Sequence, residues 1–250
     1  HPGVKAVMIA QMTNVLGSIQ PIKEIAEIAH KNGALVIVDG AQAVPRMAVN
    51  VKGLDCDFYG FSSHKMCGPD GVGVLYGKYN LLQKMDPMLL GGDMNAQFDK
   101  DGNMKLKDPP GKFEAGTPNI EGVIGLKAAA EYLMNIGLDN IHEYEKELRS
   151  YLYEGLSQLD NVVIYNPENE FGPIDFNVKG VIALDSAGFL ASRGIAVRSG
   201  NHCARALHNV IGTDWTVRAS PYFYNTRSEA DRFVAAANDI SLESATGSYF

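Results

Sequence analysis

The sequence predicts an α/β fold: a large domain on a mainly parallel sheet over residues 1–140, then a small α+β domain over residues 141–250. Three observations predict it. First, the apolar run "VKAVMIA" (Val4 to Ala10), an amphipathic stretch opening at Pro21, and the apolar run "ALVIVDG" (Ala34 to Gly40) follow one another as strand, helix and strand. Such a unit implies parallel strands with covered faces. Second, short strand-like runs alternate with helical ones through the C-terminal third. Third, apolar residues make up 46% and charged residues 20%, enough to bury a sizeable core in an ordinary globular chain.

Val4 to Ala10 reads as a mostly buried strand. Pro21 takes the favoured first helical position. Ile22, Ile25, Ala26 and Ala29 then recur at helical spacing, and Gly33 ends the helix just past its last turn. Ala34 to Gly40 is a continuous apolar strand that stops at a carboxylate. Phe58 to Ser62 and Val72 to Tyr76 read as further strands. Phe98 to Leu106 reads as a hairpin turning at Asp101-Gly102. Lys107 to Asn119, rich in Pro and Gly, is too elaborate for a spacer. Two long helices follow, Ile120 to Ile136 capped by Gly137, and Asn140 to Leu159. The small domain reads as strands Val162 to Tyr165, Ile174 to Val178, Ala196 to Arg198 and Thr216 to Ala219, with helices Asp185 to Arg193 and Ser228 to Ile240. The closing "ESATGSYF" reads as a frayed tail.

Composition excludes several classes of function. A net charge of -7 argues against nucleic acid as a partner, because phosphate binding needs a basic face. The apolar runs are far shorter than a membrane span, and no secretory signal opens the chain. Cys56, Cys67 and Cys203 are odd in number and form no C-x-x-C pair, which speaks against a disulfide framework or a metal knuckle and for a reducing, cytoplasmic setting. The chain opens at His1 with strand-like sequence almost at once, so the expectation is that an N-terminal part is absent.

Several residues could carry chemistry. Asp39 ends a buried strand, where open α/β sheets place ligands, and suits a protonated ring nitrogen or a helix N-cap equally. Gln42 lies three residues on, where a turn would set it beside Asp39. Lys65 follows a strand inside an otherwise apolar run. An amine stripped of water there becomes a nucleophile toward carbonyls, whereas a lysine that snorkels to solvent is the ordinary alternative. Ser62 and His64 flank it and could hold a phosphate. Arg198 and Arg218 bracket Cys203 and can clamp a carboxylate. Cys203, in "RSGNHCA", has a mobile, electropositive setting that favours a thiolate. Cys56 and Cys67 beside strands read as inert packing. Together these residues suggest a pyridoxal phosphate site with a thiol acting on the substrate.

"TNVLGSIQPIKEIAEIAHKNGALVIVDGAQAVP", "DFYGFSSHKMCGPDGVGVLYGK", "KFEAGTPNIEGVIGLKAA", "RSGNHCA" and "RASPYFYNT" stand in order along the chain. The sequence resembles the group II, SufS-type cysteine desulfurases of the class V aminotransferase superfamily, with the fold type I architecture of pyridoxal phosphate enzymes. The resemblance implies Lys65 as the Schiff-base lysine, Asp39 at the pyridinium nitrogen and Gln42 at the ring hydroxyl. It implies Ser62 and His64 at the phosphate, and Thr117 at the phosphate of a neighbouring subunit, hence a homodimer. Asn14 and Arg218 would bind the substrate carboxylate, with Arg198 near the thiol. Cys203 would take sulfur from L-cysteine, leaving L-alanine and a persulfide for a SufE-like or SufU-like acceptor in iron–sulfur cluster assembly. Two departures stand out. Asn201 precedes His202 where the family shows a second histidine, and the family's N-terminal stretch before "TNVLG" is not identifiable. The alternatives are a selenocysteine lyase or related class V enzyme, and an inactive fragment that only dimerises or binds an acceptor.

Overall fold

Side-chain caps at Asn50, Asn119 and Thr226 mark where three of the helices begin. The fold, a computed structural model, describes residues 3–247. They divide into two compact units: residues 3–11 with 20–138, and residues 12–19 with 139–247.

The first unit opens with β1 (Ala6–Ala10), α1 (Ile22–Lys31) and β2 (Leu35–Asp39). β1 and β2 run parallel, from Ala6 opposite Leu35 to Ala10 opposite Asp39. Pro21 sits at the N-cap, one position earlier than expected, and Gly33 follows the C-cap with φ 70°. α1 buries Ile22, Ala26 and Ala29 against Val36 and Val38. A single-turn helix, α2 (Val51–Leu54), precedes β3 (Phe58–Ser62), which joins β2 in parallel. β4 (Gly73–Gly77) then returns antiparallel to β3, making the sheet mixed, in the order β1-β2-β3-β4.

Only one sheet face is covered among the described residues. Met8 is 78% exposed and Leu75 61%, so the expectation of a buried first strand fails there. The apolar run marks a strand, but the α1 side alone supplies packing partners. The unit continues with α3 (Tyr79–Lys84), the hairpin β5 (Asn95–Phe98) and β6 (Met104–Leu106), and α4 (Ile120–Ile136). Asn119 caps α4, its side chain accepting the Gly122 amide hydrogen at 2.9 Å.

The second unit holds α5 (Leu138–Ser157), β7 (Val162–Ile164), β8 (Ile174–Val178), α6 (Ala183–Ser192), β9 (Arg198–Gly200), α7 (Arg205–Ile211), β10 (Thr216–Ala219), α8 (Arg227–Asn238) and α9 (Leu242–Gly247). Its antiparallel sheet has the order β7-β8-β10-β9. Leu148, Leu152, Leu156, Phe176, Leu190 and Phe233 form its core. α8 starts with a reciprocal capping box between Thr226 and Glu229. The expected frayed tail is helical through residue 247, with Ala245 fully buried and the Ser241 hydroxyl oxygen accepting the Ser244 amide hydrogen at 3.1 Å. Residues 248–250 of that stretch lie outside the described residues.

Candidate active site

In the first unit, Asp39 and Lys65 line one cleft of about 620 Å³ with Met8, Ile9, Ile37, Ala41, Gly60 and Ser62. β2 delivers Asp39 at its carboxyl end. Its Oδ1 accepts the Ala41 amide hydrogen at 2.9 Å, which aims the carboxylate along the turn of residues 41–47. Lys65 closes a short 3-10 helix (Ser63–Lys65) directly after β3.

Both groups are exposed, which corrects the expectation of a buried carboxylate and a desolvated amine. The hydrophobic residues around Lys65 in sequence alternate away from it: Met66 is buried whereas His64 and Lys65 face out. Gln42, His64 and Thr117 are not among the residues that line the cleft. Gln42 is half-buried in the turn, while His64 and Thr117 are exposed. Cys67 is also exposed, with φ 62°, and is not the packing residue expected; Cys56 is fully buried, as its setting suggests.

In the same unit the chain buries a polar pair that the sequence does not announce. The Tyr59 hydroxyl donates to Gln11 Oε1 at 2.5 Å, and burial pushes that phenol above its ordinary range. Gly40 leaves room for this ring. A Cβ there would lie 2.0–2.2 Å from Tyr59 ring and hydroxyl atoms.

The second unit gathers Asn14, Arg198, Arg218 and Cys203. Arg218 stands directly opposite Arg198 in the β10–β9 ladder and opposite Asp175 in the β10–β8 ladder. Asn14 is held at both ends: its Nδ2 donates to His202 O at 2.8 Å, and Arg218 donates to its carbonyl at 2.9 Å.

Cys203 is exposed between β9 and α7. His202 and Cys203 both adopt left-handed backbone, with φ 51° and 62°. Such conformations cost non-glycine residues about 1–3 kcal/mol each and persist only where the surroundings hold them. The Cys203 amide donates to Asn201 Oδ1 at 3.2 Å, and the Ala204 amide donates to Asn201 O at 2.8 Å. Asn201 is thus part of the turn that presents the thiol.

The remaining support is a buried polar cage. His202 Nε2 lies 3.2 Å from Thr216 O, 3.1 Å from Thr216 Oγ1 and 3.6 Å from Asp175 Oδ1. Thr216 Oγ1 lies 3.0 Å from Asp175 Oδ1 and 3.3 Å from His208 Nε2. Burial, with Arg218 nearby, drops the His202 imidazole to about 4, so its approach to Asp175 is not an ion pair near neutral pH. Burial raises Asp175 to about 7, against the opposing pull of Thr216 and Arg218. Nothing in the sequence marks these residues apart from their nearness to Cys203 and their strand positions.

The chain matches the model of the family described as aminotransferase class-V over residues 1–233. It is 48% identical over 227 residues to a probable cysteine desulfurase of Halalkalibacterium halodurans, covering 91% of this chain and 56% of that protein. It is 44% identical over 236 residues to a cysteine desulfurase of Serratia proteamaculans, covering 94% of this chain and 58% of the relative. The chain therefore spans little more than half the length of these curated relatives. Its fold superposes on the apo cysteine desulfurase of Thermococcus onnurineus with a TM-score of 0.91 at 40% identity, over 98% of this chain and 61% of that one. It superposes on the cysteine desulfurase CsdA of Escherichia coli, solved as an S-sulfonic acid, with a TM-score of 0.90 at 36% identity, over 99% and 60% of the two chains. With a family match across nearly its whole length and a mixed α/β sheet that ends at Asp39 and Lys65, the chain belongs to the class-V aminotransferase family.

Proposed function

We propose that this chain carries most of the reaction machinery of a cysteine desulfurase of the group II, SufS type. The substrate is L-cysteine, and the products are L-alanine and a persulfide on Cys203. The observation that carries the reading is the placement of Cys203: exposed, at the tip of a turn anchored on both sides, beside an arginine pair that can take a carboxylate. The relatives named above as cysteine desulfurases support it.

Pyridoxal phosphate fits the first unit. A primary amine, a carboxylate and a hydroxyl (Lys65, Asp39 and Ser62) share one cleft, the donor set that a carbonyl, a ring nitrogen and a phosphate require. Lys65 would anchor the cofactor, Asp39 would keep the ring nitrogen protonated, and Ser62 with His64 would hold the phosphate. Gln42 would reach the ring hydroxyl. When bound, the cofactor supplies a sink for the electron pair that develops on the substrate carbon.

The chain's own residues do the rest. Arg218 and Asn14 hold the substrate carboxylate, and Arg198 lies opposite Arg218 on the next strand. Lys65 Nζ, once free, takes the α-proton. Cys203 Sγ, as thiolate, bonds to the substrate sulfur while the carbon–sulfur bond breaks, and the carbon left behind gains a proton. Thr117, exposed and outside the cleft lining, fits a role toward the phosphate of a second subunit in a homodimer. The persulfide then passes to a SufE-like or SufU-like acceptor for iron–sulfur cluster assembly in the cytoplasm.

The test is Cys203→Ala in the intact protein. Sulfide release from cysteine should vanish while the visible cofactor band persists. Undiminished turnover would sink the thiol assignment. Comparing cysteine with selenocysteine in the same variant separates this reading from a selenocysteine lyase, whose better leaving group does not need the thiol.

A further inference from the structure

Both neighbours of Cys203 are tied into one buried polar cage. His202 reaches it through its imidazole, and the Ala204 carbonyl meets His208 Nδ1 at 3.1 Å. His202, Asp175 and Thr216 are all at least 97% buried, and His208 is 1% exposed. Counting hydrogens shows what the cage needs. His202 must carry hydrogen on Nε2 to donate to Thr216 O, and His208 must carry it on Nδ1 to donate to Ala204 O. In neutral rings this leaves His208 Nε2 an acceptor. Thr216 has one hydroxyl hydrogen and two claimants, Asp175 Oδ1 and His208 Nε2.

With Asp175 ionised, the hydroxyl can serve only one of them. With one added proton on Asp175, every contact closes: Asp175 donates to Thr216, Thr216 donates to His208, and Thr216 still accepts from His202. The added proton also suits Asp175 Oδ2, which is buried without a hydrogen-bond partner and would be costly as part of a carboxylate.

We propose that His202 is the positioning residue for the Cys203 thiol, and that the Asp175–Thr216–His208 cage gripping it is complete only while it stores one exchangeable proton. The thiol's place in the reaction rests on the reading above. The charged and titratable groups facing the cage are Arg218 on β10, Arg198 on β9, and His202 and His208 themselves. Losing the proton turns Thr216 toward Asp175 and frees His208, so one of the two flanks of Cys203 loosens. Asn14, holding the His202 carbonyl, retains the other.

The experiment reads thiol geometry, not turnover. In the intact protein, Cys203 alkylation by iodoacetamide is followed by peptide mass spectrometry from about pH 5.5 to about pH 8.5, the range in which a buried carboxylate can exchange its proton. The ratio of Asp175→Asn to wild-type rates cancels the thiol's own ionisation. The asparagine amide is a permanent donor to Thr216, so the ratio should stay near one at low pH and depart by about threefold or more at high pH. Thr216→Val should alter the rate by about fivefold, and Thr216→Ser should restore it. A flat Asp175→Asn ratio overturns the stored proton, even if Thr216→Val fails to fold. An unaltered rate in a folded Thr216→Val protein overturns the positioning role. ¹⁵N spectra of histidine should show His202 neutral with hydrogen on Nε2 throughout, and a charged ring near neutral pH refutes the cage. Cys203→Ala decides the function separately, because these rates do not depend on substrate.

Discussion

The burial of Asp175 and His202 predicts that folding moves a proton from an imidazole to a carboxylate inside the second unit, with a measurable pH signature. An unfolded aspartate titrates near about 3.9 and an unfolded histidine near about 6.5. In the fold, Asp175 is raised to about 7 by burial and His202 lowered to about 4 by burial and Arg218. Between roughly pH 4 and pH 6.5 the unfolded pair holds its proton on histidine and the folded pair holds it on Asp175. The count is one in both states, so the two contributions to the pH slope cancel in the native protein.

Removing either partner exposes the other. Asp175→Asn leaves His202, whose folded value is depressed. The unfolded state then binds more protons, and stability rises with pH by about 1.4 kcal/mol per pH unit across roughly pH 4 to 6.5. His202→Gln keeps a donor toward Thr216 O and leaves Asp175, whose folded value is raised. Its favourable contribution is complete below about pH 4 and is lost as pH rises through about 7, again by about 1.4 kcal/mol per pH unit. The difference between the variants should therefore change by nearly 3 kcal/mol for each pH unit, roughly twice the single-site slope. Each value has its own cause: neither side chain is the main perturber of the other. Urea titrations at a series of pH values measure this, with Trp215, the chain's single tryptophan and the residue preceding Thr216, as a local reporter. Parallel stability profiles for the two variants would refute the reasoning, whatever the cost of each substitution at one pH.

Other outcomes follow from the same geometry. Gly40→Ala places a methyl inside the Tyr59 ring position and should cost about 1–3 kcal/mol, read as a lower unfolding midpoint together with weaker cofactor retention. Lys65→Ala should remove the visible cofactor band from the intact protein without lowering its thermal stability, since the side chain is exposed; a retained band would displace Lys65 from its role. Asp57→Ala should cost about 3–5 kcal/mol, because the buried carboxylate accepts the Val36 amide hydrogen at 2.7 Å and meets His30 at 2.9 Å and Lys78 at 3.0 Å. Desolvation pulls Asp57 upward, but those partners hold it below the ordinary value. Its contribution is therefore present above about pH 4 and lost as pH falls further, and an acid titration of Asp57→Asn against wild type checks that.

The strands and long helices were legible because each carries a strong local pattern. Phe58–Ser62, Ile174–Val178, Thr216–Ala219 and Ile120–Ile136 coincide with the runs read from the sequence. Periodicity could not reveal α2, α3 or α7, which are too short to show a full amphipathic stripe, nor that Val4 to Ala10 has one open face. Lys65 stands out by its type and neighbours, but neither reveals that it is exposed. Successive side chains in a 3-10 turn are about 120° apart, so Ser63 is buried while His64 and Lys65 both face out, and apolar neighbours in sequence need not be neighbours in space.

The cage under Cys203 shows a deeper limit on reading chemistry from sequence. Asp175 belongs to "PIDFNV", which reads as a strand interior, where a carboxylate between apolar residues suggests only an outward-facing position. The fold instead pairs Asp175 with Arg218 across β8 and β10 and buries its side chain completely. That register places Thr216 two residues before the arginine and within reach of both histidines. A one-residue slip of β10 would turn Thr216 and Arg218 to the opposite face together. The support of the thiol and the recognition of a carboxylate are thus set by the same strand register. A substitution that shifts β10 should impair both at once, whereas Thr216→Val should disturb the thiol and leave Arg218 in place.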